Sequence, residues 1–279
     1  MATAIETTAP VRATPAAPAR SRRRLGSRRT LLVVLQVATV VVLLGAWELG
    51  ARAGTVNTFL FSSPSQVLAA LSRRAASGDL VVDVRTTVTE VALGFLVGAV
   101  GGSVLGLALW YSRFVADYTA PFIAAIGAIP VLAIAPMTII WFGTGLMSKI
   151  MIVGFSCVVV SLTSSYRGAQ RADPDQIDLM RSFGASTGQI FTKVVAPGAL
   201  PWIVSGLKLN VGFAVVGAIV GEYISSNAGV GHMILLGSSN FTVSLVLAGL
   251  VVVMAIVLVL TFGMNLLERA LLSWERTTK

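Results

Sequence analysis

Residues 166–203, YRGAQRADPDQIDLMRSFGASTGQIFTKVVAPGALPWI, form a polar island between long apolar runs. Asp173 is suited to cap a helix, Pro174 to its first turn, and Gln176 stands where a capping box needs it, so the spacing predicts a helix starting here. Gly184 ends it. Ser186 with Gln189 repeats the box for a second helix, and Pro197, which biases Ala196 away from helical angles, is expected to close that one. On the first helix Ile177, Met180 and Phe183 recur every three residues, with Leu179 beside them, while Asp175, Asp178, Arg181 and Ser182 are polar. Two readings of that apolar face stay open at this point: packing on the ends of the chain's own helices, or a socket on another protein.

The sequence around the island fixes the class. Hydrophobic residues make up 55% of the chain, charged ones 12%, and the mean hydropathy is +0.84, a composition that a soluble domain with a polar surface does not have. Apolar stretches able to cross ~30 Å of hydrocarbon lie near 31–49, 84–110, 117–140, 147–164, 203–222 and 241–265. Lipid offers no partner to an unpaired backbone group, and the alternating pattern of a barrel is absent, so all six are expected to be helices. The fold class is therefore all-α: a polytopic membrane protein with six transmembrane helices, spanning 31–270, with the insert at 165–201.

Basic residues orient the spans, because they are retained on the cytosolic side. The segment before Leu31 holds Arg12, Arg20, Arg22, Arg23, Arg24, Arg28 and Arg29; the turn at Arg113, the insert with Arg167, Arg171, Arg181 and Lys193, and the tail with Arg269, Arg276 and Lys279 lie on the same side. The opposite loops hold only Arg52, Arg73, Arg74 and Lys149. Both termini are thus expected in the cytosol, with residues 1–30 a disordered basic tail and 271–279 a second short tail. Topology accounts for the net charge of +9, and a nucleic-acid partner is not needed to explain it. Ser27-Arg28-Arg29-Thr30-Leu31-Leu32 resembles an export signal, but the apolar run behind it is longer than a signal core, so cleavage is rejected.

Elsewhere, Ser63 and Pro64 predict a short amphipathic helix with Val67, Leu68 and Leu71 on its apolar face, lying on the outer membrane surface. Gly94, Gly98, Gly102 and Gly106 form a ridge that admits close approach of another helix. Pro130 and Pro136 imply a broken or kinked helix. Cys157 reads as a small packing residue. With one His and one Cys no zinc set is available; Gly184-Ala185-Ser186-Thr187-Gly188 follows a helix instead of the strand that a serine-hydrolase elbow needs; and no phosphate-binding loop occurs, so ATP must bind a separate chain. Ionisable residues within the apolar runs are suspect as functional groups. Glu90, Trp141, Lys208, Asn210 and Glu222 are the candidate pathway residues, with Lys208 or a hydroxyl as partner for Glu90, and helix packing explains Lys208, Asn210 and Trp141 at least as well.

Asp178-Leu179-Met180, Gly184, Val194 and Pro197 resemble the cytoplasmic signature of bacterial ABC importer permeases, in which Glu-Ala-Ala is followed by Gly and, further on, by an aliphatic residue and Pro. Here Asp replaces Glu and Leu-Met replaces Ala-Ala. SPSQVLAAL, PVLAIAPMTIIWFGTGLMSKI and GEYISSNAGVGHMI extend the likeness over residues 60–274, to the nitrate, sulfonate and taurine branch. The resemblance implies the type I importer permease fold, a homodimer, two ATP-binding subunits that hold ATP and Mg, an extracytoplasmic binding protein, a lipid surround in the bacterial inner membrane, and no cofactor or catalysis in this chain. It also implies that the insert's first helix docks on the ATP-binding subunit, with Asp173, Ile177, Asp178, Leu179, Met180, Arg181, Phe183, Gly184, Ala185 and Pro197 as the coupling set, and that Gly229-Val230-Gly231 closes the path externally. The solute is expected to be a small anion; relatives with the same helices carry pyrimidine-type vitamin precursors or other heterocycles. An ion-coupled secondary transporter, lacking a docking element and richer in buried carboxylates, is the remaining alternative.

Overall fold

A computed structural model describes residues 23–272, and every regular element among them is a helix. The order is α1 (Arg23–Arg52), α2 (Thr58–Phe61), α3 (Pro64–Ala76), α4 (Asp79–Ala108), a 3-10 turn (Leu109–Tyr111), α5 (Arg113–Ala128), α6 (Val131–Phe142), α7 (Leu146–Gln170), α8 (Pro174–Ser182), α9 (Thr187–Ile190), a π turn (Phe191–Val195), α10 (Ala196–Ser225), α11 (Val230–Ser239) and α12 (Val243–Leu271). α1 begins at Arg23, within the expected first tail, and its apolar span runs from Thr30 to Arg52; residues 1–22 and 273–279 of the two expected tails lie outside the described residues.

Among the described residues five helices are long and apolar enough to cross a membrane, and a sixth crossing exists only as the pair α5 and α6, bent by 92°. The sequence reads this stretch as one span, 117–140. The break falls at Ile129–Pro130, where Ile129 is extended at ψ 122, because the ring of a proline clashes with a helical residue before it. Pro136, the other expected break, lies inside α6.

The glycine ridge of α4 meets α7. A Cβ on Gly98 would stand 2.8 Å from the Gly154 Cα and 2.9 Å from the Cys157 Cβ, and one on Gly102 would stand 2.9 Å from the Ser161 Cβ. Backbones this close gain van der Waals contact that bulkier residues would forbid, which is what holds helices together when lipid is as apolar as they are. Another face of α7 receives α10: Gly206 lies against Ser164 and Gly217 against Ser156. The core of Val91, Val153, Cys157, Ala214, Val215 and Ala218 fills the junction of the three helices. Cys157 is fully buried there, as a packing residue.

α1 stands apart, its side chains exposed from Leu31 to Leu44. It touches the bundle near Trp47, and Glu48 accepts the Ser65 N–H at 3.0 Å, capping α3 in addition to Ser63. On α3, Val67 and Ala70 are buried and Leu71 is half-buried, whereas Leu68, expected on the same face, is 68% exposed.

Candidate functional site

The insert is built from local hydrogen bonds. Asp173 accepts the Asp175 N–H at 3.0 Å, one position earlier than a capping box would place it. At the other end Gly184, at φ +76, donates its N–H to the Arg181 carbonyl at 2.9 Å while the Ala185 N–H reaches the Met180 carbonyl at 3.0 Å, so these two carbonyls of the last turn are satisfied. α9 opens with the expected box: Ser186 N–H donates to Gln189 Oε1 at 2.8 Å, and Gln189 N–H to Ser186 Oγ at 3.3 Å.

The structure divides the apolar face of α8 and corrects the expected end of the second helix. Ile177 and Met180, both half-buried, pack against Ala169, Ala172, Ile190 and Val195; the apolar side chains that α8 presents outward are Leu179, 57% exposed, and Phe183, 80% exposed, beside the Asp178–Arg181 ion pair at 3.1 Å. A three-residue repeat sets a helical face but not the body it meets. Pro197 does not close the second helix. The chain stays helical from Thr187 to Ser225 because the π turn, in which Ala196 N–H donates to the Phe191 carbonyl, makes room for a ring that an α-turn would drive into the Lys193 carbonyl. The rod is anchored by Arg171, whose guanidinium sits 4.3 Å above the Trp202 ring, and by Phe191 packed on Trp110 and Tyr111.

The five candidate pathway residues do not converge. Lys208 pairs with Glu268 of α12 at 2.5 Å, not with Glu90. Glu90 faces Lys149 at 3.4 Å, and Lys149 also donates to Ser226 Oγ at 2.9 Å. Lys149, read from sequence as a loop cation, lies in the first turn of α7 and is buried. Asn210 donates through Nδ2 to the Cys157 carbonyl at 3.1 Å and to Ser161 Oγ at 2.5 Å, stitching α10 to α7. Glu222 is fully buried, accepting Thr87 O–H on one oxygen at 2.5 Å and Gly231 N–H on the other at 2.6 Å. Of the five, Trp141, 65% exposed, borders open space: an apolar crevice of about 570 Å³ between α4, α5, α6 and α7, walled by Gly98, Ile129, Met137, Phe142 and Phe155. The Thr138 hydroxyl in its wall is spent on the Ala135 carbonyl at 2.7 Å.

Over residues 91–273 the chain matches the family described as binding-protein-dependent transport system inner membrane component. The chain belongs to that family. It is 33% identical over 226 residues to a probable ABC transporter permease protein of Haemophilus influenzae, covering 81% of this chain and 91% of that one. It is 27% identical over 256 residues to a putative aliphatic sulfonates transport permease protein of Bacillus subtilis, covering 92% and 91%. A riboflavin transport system permease protein of Chloroflexus aurantiacus is 30% identical over 237 residues, covering 85% and 88%. Among solved structures, an inward-facing form of the MetNI methionine ABC transporter superposes with a TM-score of 0.63 at 20% identity, covering 71% of this chain and 98% of that one. The fold is that of the type I ABC importer permeases.

In this permease the sequence left Asp83 and Thr87 without a role. Asp83, buried, accepts Arg74 Nε at 2.8 Å and the Gly229 N–H at 2.9 Å, and Thr87 accepts the Val230 N–H at 2.9 Å. The signal was present: Asp83, Thr87 and Glu90 recur at helical spacing on one face of α4, near the start of an apolar helix, where carboxylates need partners.

Proposed function

We propose that this permease is the membrane-spanning subunit of an ATP-driven importer, moving a small anion of the sulfonate, taurine or nitrate kind into the cytosol by alternating access. Two copies enclose one pathway in the bacterial inner membrane; two ATP-binding subunits, which hold ATP and Mg, press on α8 of each copy; and an extracytoplasmic binding protein delivers solute at the opposite end. Hydrolysis belongs to the ATP-binding subunits. The insert and both termini face the cytosol, as the distribution of Arg and Lys along the chain supports.

The geometry of α8 carries this reading. It is capped at both ends, presents Leu179 and Phe183 outward between charges, and precedes a helix that runs unbroken through the bundle. A short closed helix on a continuous rod transmits a push that a floppy loop would absorb. The coupling contacts are therefore Leu179 and Phe183, with Asp178 and Arg181 at their edge; Asp173, Gly184 and Ala185 shape the helix, and Ile177 and Met180 seat it on the bundle.

The test uses single cysteines at Leu179, Phe183, Ile177 and Met180 in a Cys157→Ala background, co-expressed with the ATP-binding subunit proposed as partner. Bifunctional crosslinkers are expected to capture that subunit from Leu179→Cys and Phe183→Cys only. Capture from the inward positions alone, or from none, refutes the proposal.

A heterocyclic solute is the second reading, favoured by the apolar lining of the crevice beside Trp141 and by the likeness to a permease named for riboflavin. Identifying the molecule held by the cognate binding protein decides between them.

A further inference from the structure

α11 begins without a capping side chain of its own. Its N-cap is Gly229, and the acceptors that satisfy its first N–H groups come from other helices: Asp83 and Thr87 of α4 take Gly229 and Val230 at 2.9 Å each, and Glu222 of α10 takes Gly231 at 2.6 Å. Thr87 is shared, since its hydroxyl donates to Glu222 and accepts from Val230. The loop before α11 is tied as well, through Ser226, which donates to the Ala228 carbonyl at 2.5 Å and accepts Lys149 of α7. The loop rests directly on the acid: a Cβ on Gly231 would stand 2.9 Å from the Glu222 Cβ and 2.8 Å from the Ile219 carbonyl, and one on Gly229, at φ +115, would overlap the Glu222 carboxyl.

Glu222 also lies three residues before the end of the helix that starts at Thr187. At 1.5 Å per residue the insert and this carboxyl are about 50 Å apart on a single rod. We propose that Glu222, with Thr87 as its partner, is the positioning residue that hands movement of α10 to the 226–231 loop and α11, so that displacement of the insert shifts the far end of the pathway. This rests on the transport reading above. The bland alternative is that these bonds merely satisfy buried groups, in which case their loss lowers stability and leaves coupling alone.

The complete assembly, reconstituted with its ATP-binding subunits and binding protein, separates the two. ATP hydrolysis and solute uptake are measured in the same vesicles for wild type, Thr87→Val, Thr87→Ser and Glu222→Gln, with thermal stability in parallel. Thr87→Val removes the shared hydroxyl while keeping its shape, and solute moved per ATP is expected to fall about tenfold, the factor set by one or two buried hydrogen bonds. Hydrolysis itself should persist, and Thr87→Ser should restore the ratio. An unchanged ratio in Thr87→Val and Glu222→Gln, or a serine variant as defective as valine, overturns the inference. Should the substituted chains fail to assemble, spin labels at Phe213 of α10 and Ser238 of α11 in the Cys157→Ala chain decide the matter: their separation should stay constant when nucleotide is trapped, and a change overturns the claim. Failure of the transport reading would appear as lost subunit capture at Leu179 and Phe183, which this inference leaves intact.

Discussion

Replacing Gly184 by valine tests the turn that aims α8. Gly184 sits at φ +76, and a Cβ there would meet nothing within 4 Å, so the whole penalty is conformational. A left-handed residue with a Cβ costs roughly 1–2 kcal/mol, and a β-branched one more, while asparagine tolerates the region. Since about 1.4 kcal/mol is a factor of ten, Gly184→Val should populate the native turn at least tenfold less. The bonds from Gly184 to Arg181 and from Ala185 to Met180 open with it, and Phe183, next to the turn, loses its fixed direction. In vesicles holding the full assembly, solute moved per ATP should fall in the order Gly, Asn, Ala, Val, while the helical circular dichroism stays unchanged. Equal coupling in the valine and wild-type proteins, or an asparagine variant as impaired as valine, would show that the backbone angle does not set the docking direction.

Gly98→Ala should lower the thermal midpoint in detergent, since its Cβ meets the backbone of Gly154 and overpacking costs about 1–3 kcal/mol; Gly101→Ala, with open space around it, should leave the midpoint unchanged. Asn210→Ala should weaken the α7–α10 contact by about 1 kcal/mol and leave the apparent affinity for solute unaltered, whereas a shifted KM at constant stability would return Asn210 to the pathway. Ile177→Ala should lower stability without loss of crosslinking from Phe183→Cys, because its side chain packs inward.

Signals carried by neighbours in sequence are readable. The caps at Asp173, Ser186 and Ser63, the turn at Gly184 and the ridge from Gly94 to Gly106 all depend on a few adjacent residues, and the structure contains each of them. What sequence does not reveal depends on which bodies meet. Lys149 reads as a loop residue because cations avoid lipid, but Glu90 and Ser226 give it partners inside the bundle. Lys208 has an equally reasonable claim on Glu90 as long as Glu268, sixty residues away in sequence, is not known to lie beside it. At Pro130 the break is legible and its 92° angle is not, since a proline fixes where a helix ends and not the direction the next one takes. Pro197 misleads for a different reason: a rule for ordinary helical turns meets a turn that is wider.

That wider turn has a consequence for the chain's tolerance of length changes. Each residue advances a helix by about 100°, so the surplus residue within Phe191–Val195 fixes the angular phase of everything beyond it. Deleting one residue there would regularise the helix and simultaneously swing Lys208, Asn210 and Glu222 more than a quarter revolution from Glu268, Ser161 and Thr87. The irregularity works as an index mark that keeps the two ends of a long shaft in register.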